Sequence, residues 1–152
     1  MKNAFVGISL LLLSSCVTTT LTPEGAKVRV FVRNLERADA LARDMGVKIK
    51  TLEEMRPASF DIVVNCTPVG MRGPDENETL FASDALRKVK LVYDLVYNPD
   101  ETRLLHEAKQ AGADSLGGFE MLMAQAELQF EIWTGQKPPA AEMRDAARQK
   151  DR

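Results

Sequence analysis

Residues able to do chemistry cluster where apolar runs stop. Residues 27–33 (KVRVFVR) end in Arg33, and Arg37 follows one helical turn later. A guanidinium stays charged and grips phosphate oxygens in a fork, so this pair suits a nucleotide phosphate, while two solvated surface arginines are the plain alternative. Residues 61–71 (DIVVNCTPVGM) run from an aliphatic strand into Asn65, Cys66 and Thr67, then Pro68 and Gly70. Asn65 and Thr67 offer hydrogen-bonding groups to a polyol or a ribose. Cys66 has no base beside it in sequence and reads as a small buried residue, not a nucleophile. Residues 94–99 (DLVYNP) place Asp94 where it can cap a backbone, and Tyr97 where its hydroxyl can meet a substrate or its ring can pack. In residues 117–135 (GGFEMLMAQAELQFEIWTG), Gln125 and Gln129 interrupt otherwise apolar stripes. A buried amide needs partners, and Gln125, nearer Gly118, is the better candidate to face a polar ligand.

These groups need a frame that brings strand ends together. Residues 27–33 alternate like a strand, and 60–64 carry no polar residue after Asp61, as in strands buried on both faces of a parallel sheet. Further strands are expected at 47–50, 90–95 and 114–116. Helices are expected at 35–44, 80–86, 100–111, 119–134 and 140–149, with a helical turn at 52–55. Residues 71–79 form a loop. This alternation predicts an α/β fold, a parallel sheet with helices on both faces, whose ligands bind outside the carboxyl ends of the strands.

Composition narrows the function further. The 152 residues carry a net charge of −2, with no basic excess to mark nucleic acid or an anionic membrane. One His and two Cys cannot build a zinc site, and no metal is expected. The first 22 residues stand apart: one Lys, an apolar run over 5–13, then Leu13-Ser14-Ser15-Cys16, which resembles a bacterial lipobox. Either this is a signal peptide whose Cys16 is lipidated, giving a membrane-anchored lipoprotein, or it is an out-of-frame leader.

In their order, NCTPVGM, DLVYNPDETRLL and GG-x-x-ML-x-x-QA-x-x-QFE-x-WTG resemble the C-terminal, NADP-binding half of the shikimate dehydrogenase family, shikimate/quinate dehydrogenases included. The resemblance covers residues 26–138, a partial Rossmann domain, and leaves 139–152 as a polar C-terminal helix. It implies a cytoplasmic, NADP-dependent oxidoreductase that interconverts 3-dehydroshikimate and shikimate in aromatic amino-acid and chorismate biosynthesis. By the same resemblance, Arg33 and Arg37 hold the adenosine 2′-phosphate, although Val32 and Asn34 replace the family's usual Asn and Thr there. Thr67, Leu95 and Gly118 meet the cofactor, and Tyr97 and Gln125 hold the substrate. Asn65-Cys66-Thr67 would line the cofactor groove.

The family's catalytic Lys and Asp belong to its other, N-terminal domain, so no catalytic residue is assigned here. A Gly-rich phosphate turn is also missing, because Gly7 and Gly25 stand far apart. The expected protein is thus an incomplete Rossmann-like domain without its first strand and Gly-rich turn: a fragment, inactive alone. The alternatives are a half-enzyme complemented by another chain, and a non-enzymatic lipoprotein. A missing central strand would expose sheet edges and favour a homodimer, unless the apolar run at 5–13 fills the gap as a substitute strand.

Overall fold

The computed structural model describes residues 3–8, 27–36, 38, 43 and 47–150, with the strand at 3–8 and Lys150 described by backbone alone. Six parallel strands form one sheet: β1 (Asn3–Ile8), β2 (Lys27–Val32), β3 (Lys48–Thr51), β4 (Ile62–Cys66), β5 (Leu91–Asp94) and β6 (Asp114–Leu116). Their order is β3-β2-β1-β4-β5-β6. Parallel neighbours need crossovers, and among the described residues helices lie between β2 and β3, between β4 and β5, and between β5 and β6. Those labelled here are α1 (Ser83–Leu86), α2 (Arg103–Gln110), α3 (Gly118–Thr134) and α4 (Ala140–Lys150). Residues 35, 36, 38 and 43, within the helix expected at 35–44, are helical too.

The α/β class and parallel sheet are as expected, but the missing first strand is not. β1 fills the centre, pairing Val6 with Val30 of β2 on one side and with Val64 of β4 on the other. The apolar start of the leader thus supplies the substitute strand, beginning at Asn3 and ending at Ile8. A two-sided gap would leave both β2 and β4 with unpaired edges, and an aliphatic segment satisfies both. This bears on the lipobox. Cleavage before Cys16 would remove β1 and split the sheet between β2 and β4.

The central strand β4 is buried on both faces, and for that reason residues 62–64 read as one continuous apolar run. Phe31, Val63 and Val92 pack with Leu86 of α1 and with Leu104 and Ala108 of α2. Phe31 meets Phe60 edge to face, ring centroids 5.7 Å apart. On the opposite face, Val64, Cys66 and Leu95 pack against Met121 of α3, while Val30 and Val32 pack with Ala38. α4 is held to α3 by Arg144, which reaches Glu120 at 2.9 Å, and by Arg148 over the Phe119 ring.

Candidate functional site

The sheet order reverses direction at β1. Chain connections run outward through β2 to β3 on one side and through β4 and β5 to β6 on the other. A crevice opens at such a switch point, outside the carboxyl ends of the central strands. Arg33 lies there, directly after β2, with its side chain exposed. Arg37, expected beside it, lies outside the described residues. Both loops leaving β4 and β5 reach the same end.

Those two loops are fixed by one buried network. Asn65 and Asp94 are fully buried, Thr102 is 1% exposed, and all three hydrogen bond in series. Asp94 Oδ1 accepts from Asn65 Nδ2 at 2.9 Å and from the Val96 amide at 3.1 Å. Asp94 Oδ2 accepts from Thr102 Oγ1 at 2.6 Å. Thr102 in turn caps α2, its Oγ1 accepting from the Leu105 amide. Asn65 Oδ1 accepts from the Thr67 amide and hydroxyl, at 2.8 and 2.7 Å. Asp94 therefore does cap a backbone, and it also joins β4, β5 and the start of α2. Burial pushes its carboxyl above the usual range, against the hydrogen bonds from Thr102, Val96 and Asn65 that favour the ionised form.

The network corrects one expectation. Asn65 does not line a groove: both ends of its amide are spent inside the protein, because a fully buried amide must find partners there. Thr67 is also largely buried, and its hydroxyl donates to Asn65 while accepting from the Val69 amide. Cys66 is inert as expected: burial, then the Asp94 charge, pushes its thiol up to about 12.

Leu95 and Gly118 meet directly. The Gly118 amide donates to the Val96 carbonyl at 3.1 Å. A Cβ at Gly118 would lie 2.2 Å from the Leu95 carbonyl oxygen, so only glycine lets α3 start this close to β5. Gly70, after Pro68, takes φ +90°, and Arg72 bridges to the β5 loop, its amide donating to the Asn98 carbonyl.

Tyr97 is 46% exposed at the same end of the sheet, and Gln125 is exposed on α3. The two stripes that Gln125 and Gln129 interrupt are thus not buried along their length as expected. α3 seats Met121 on the sheet, but its later turns carry their side chains into solvent. Thr102 was missed, because the helix was expected to begin at 100. The available signal was a Thr directly before the apolar period of Leu104, Leu105 and Ala108. Among the described residues, no cluster of His, Cys, Asp and Glu could hold a metal ion, and no helix is long and apolar enough to cross a membrane.

The family model for the shikimate 5′-dehydrogenase C-terminal domain matches residues 118–148, from the start of α3 into α4. The shikimate dehydrogenase (NADP(+)) of Methanopyrus kandleri is 38% identical over 143 residues, covering 86% of this chain and 49% of that protein. By sequence, the chain is similar to part of the shikimate dehydrogenases. The fold agrees. A crystal structure of a shikimate dehydrogenase in complex with NADP+ matches with a TM-score of 0.87 and 30% identity, over 99% of this chain and 55% of that one. The Thermus thermophilus shikimate dehydrogenase, solved with NADP(H) and shikimate, gives 0.80 and 33%, over 97% and 54%. A match over 99% of the chain takes in β1, so Asn3–Ile8 lies within the region shared in fold with that shikimate dehydrogenase. The chain spans about half the length of the relatives it matches.

Proposed function

We propose that this chain is the nucleotide-binding half of a shikimate dehydrogenase-type oxidoreductase, working in the cytoplasm with NADP. The observation that carries the reading is the exposed Arg33 at the end of β2, beside the switch point at β1. An NAD-preferring fold places a carboxylate there to hold the ribose hydroxyls, whereas a guanidinium binds a 2′-phosphate. The residues fit the cofactor in part. Arg33 and Arg37 would hold the 2′-phosphate. The Leu95–Gly118 bend, locked by its close backbone approach, would present backbone groups to the nicotinamide, with Thr67 alongside. The stretch between β1 and β2 has no Gly-rich sequence, so the pyrophosphate has no turn of the usual kind to bind.

When bound, NADP accepts or donates a hydride. Tyr97, exposed just after β5, and Gln125, exposed on α3, would orient a shikimate- or quinate-type polyol by hydrogen bonds. The Lys and Asp that the family uses for the proton belong to the half this chain leaves unmatched. The chain alone therefore supplies binding and orientation, and turnover needs a second component. Titration calorimetry tests the reading. NADP should bind more tightly than NAD, and Arg33→Ala should weaken NADP about 10- to 100-fold while leaving NAD unchanged, since a charge-assisted hydrogen bond contributes about 1.5–3 kcal/mol. Equal affinity for the two cofactors, or an Arg33→Ala variant that weakens both alike, would sink it.

A further inference from the structure

We propose that Asp94 is a positioning residue for the nicotinamide end of the cofactor site: its ionised carboxylate holds the β4 and β5 loops in the one arrangement that brings Thr67, Leu95 and Gly118 together. The inference rests on the half-enzyme reading. Asp94 ends β5 and is fully buried. It reaches Thr67 through Asn65, whose Nδ2 donates to Asp94 Oδ1 while its Oδ1 accepts from the Thr67 amide and hydroxyl. It reaches Gly118 through Val96, whose amide donates to Asp94 and whose carbonyl accepts from the Gly118 amide. Leu95 is held between them, its amide donating to the Asn65 carbonyl at 2.9 Å. The 2′-phosphate end is out of reach. Arg33 follows β2, three strands from β5, or about 14 Å at the usual strand spacing. One carboxylate thus governs one end of the groove and not the other.

Only the ionised form fits this network. Donors from Asn65, Val96 and Thr102 converge on two carboxylate oxygens, at 2.9, 3.1 and 2.6 Å. A proton on Oδ1 would meet the hydrogens of Asn65 and Val96. A proton on Oδ2 would face Thr102 Oγ1, which already accepts from the Leu105 amide, and would turn the Thr102 hydroxyl hydrogen away from its acceptor inside the core. Either proton breaks a tie between the loops. Burial nevertheless favours it, lifting the carboxyl above its usual range against those hydrogen bonds. The titratable neighbours are otherwise engaged. Cys66 on β4, its thiol pushed up to about 12, stays neutral. On α2, Arg103 and Glu107 pair at 2.8 Å, and His106 is exposed and bonded to Gln110. On α3, Glu120 is held by Arg144, while Tyr97, Asp100 and Glu101 are exposed. Because the ionised form builds the site, cofactor affinity is full above the folded pKa of Asp94 and falls as pH drops through it.

Titration calorimetry on the full chain compares NADP with adenosine 2′-phosphate, which reaches only the Arg33 end. Both ligands carry the 2′-phosphate, so its own titration cancels in the ratio of their affinities. In the wild type the advantage of NADP should shrink about fivefold or more as pH falls from neutral through the acid range in which circular dichroism shows the chain folded. Asp94→Asn cannot ionise, so it should show the reduced advantage at every pH, with adenosine 2′-phosphate bound within about twofold of wild type. Thr102→Val should act in the same direction, and Thr102→Ser, which keeps the hydroxyl, should restore the wild-type ratio. The proposal is overturned if the wild-type ratio is flat with pH, or if Asp94→Asn binds NADP as tightly as wild type. It is equally overturned if the variants weaken both ligands alike, which marks a purely structural role, or if the pH profile persists in Asp94→Asn, which assigns it to His106. Should the variants fail to fold, the wild-type profile decides. Failure of the half-enzyme reading looks different: the wild type then binds neither ligand, or binds NAD as well as NADP, and this proposal falls with it.

Discussion

Replacing Gly118 by Ala adds one methyl group where α3 starts against β5. That Cβ would sit 2.2 Å from the Leu95 carbonyl oxygen, 2.5 Å from the Leu95 carbonyl carbon and 2.7 Å from the Val96 carbonyl oxygen. All three are backbone atoms, so no side-chain rotation relieves them. Ordinary contact begins near 3.4 Å, so α3 and the β5 loop must part by about 1.2 Å, which forfeits about half or more of the dispersion attraction between neighbouring atoms there. Overpacking of this kind costs about 1–3 kcal/mol. Parting also stretches the Gly118 amide to Val96 carbonyl bond, whose loss adds about 0.5–1.5 kcal/mol. The expected destabilisation is about 1.5–4.5 kcal/mol, read in urea unfolding as a lower midpoint with an unchanged slope. Gly117→Ala is the control. A Cβ there meets the Asp100 carbonyl oxygen at 3.3 Å and a Leu105 methyl at 3.5 Å, which small shifts absorb. It should cost less than about 1 kcal/mol, mostly from Ala being a poorer helix cap than Gly. A Gly118→Ala loss below about 0.5 kcal/mol, or one no larger than that of Gly117→Ala, would refute the close-approach argument.

The buried network should be just as sensitive to polarity. Asp94→Asn keeps the shape but turns one acceptor towards donors as an NH2 group, so urea unfolding should show a loss of about 1–3 kcal/mol. Glu107 should carry part of the acid sensitivity. Hydrogen bonds from Arg103 and the Ser83 amide hold its carboxyl below the usual range. Because the folded pKa is depressed, that stabilisation is present above the unfolded value of about 4.3 and is lost as pH falls through the folded value. Unfolding curves of Glu107→Gln and wild type should therefore converge as pH drops below that value; a constant offset down to low pH would contradict this. Finally, removing residues 1–15 deletes β1 and should yield insoluble or unfolded protein in a solubility and circular dichroism assay. The full chain should not incorporate palmitate at Cys16, and a folded, soluble truncation would show that β1 is dispensable.

Strand and helix positions were legible wherever a period was clear. KVRVFV alternates, IVVNC is apolar throughout its first three residues, and α2 shows its Leu104, Leu105 and Ala108 face; each formed the expected element within a few residues. These patterns survive because burial of one face, or of both, selects them locally. Cys66 was legible as inert for the same reason, since nothing near it in sequence could deprotonate it. Long-range pairing was not legible. Nothing in residues 1–13 distinguishes a signal-peptide core from a central strand, because both are short and apolar; only the two vacant edges of β2 and β4 make it a strand. The polar residues divided in the same way. Asn65 and Thr67 look like ligand groups in sequence, but Asp94, twenty-nine positions from Asn65, and Thr102 turn them inward. Gln125 and Gln129 look buried by their stripe, yet they are exposed, because a helical period shows which residues share a face and not how far the sheet extends beneath it. Local periodicity set the elements of this protein. Which edges were open, and which polar groups lay within reach of one another, was settled only when the chain closed into a sheet.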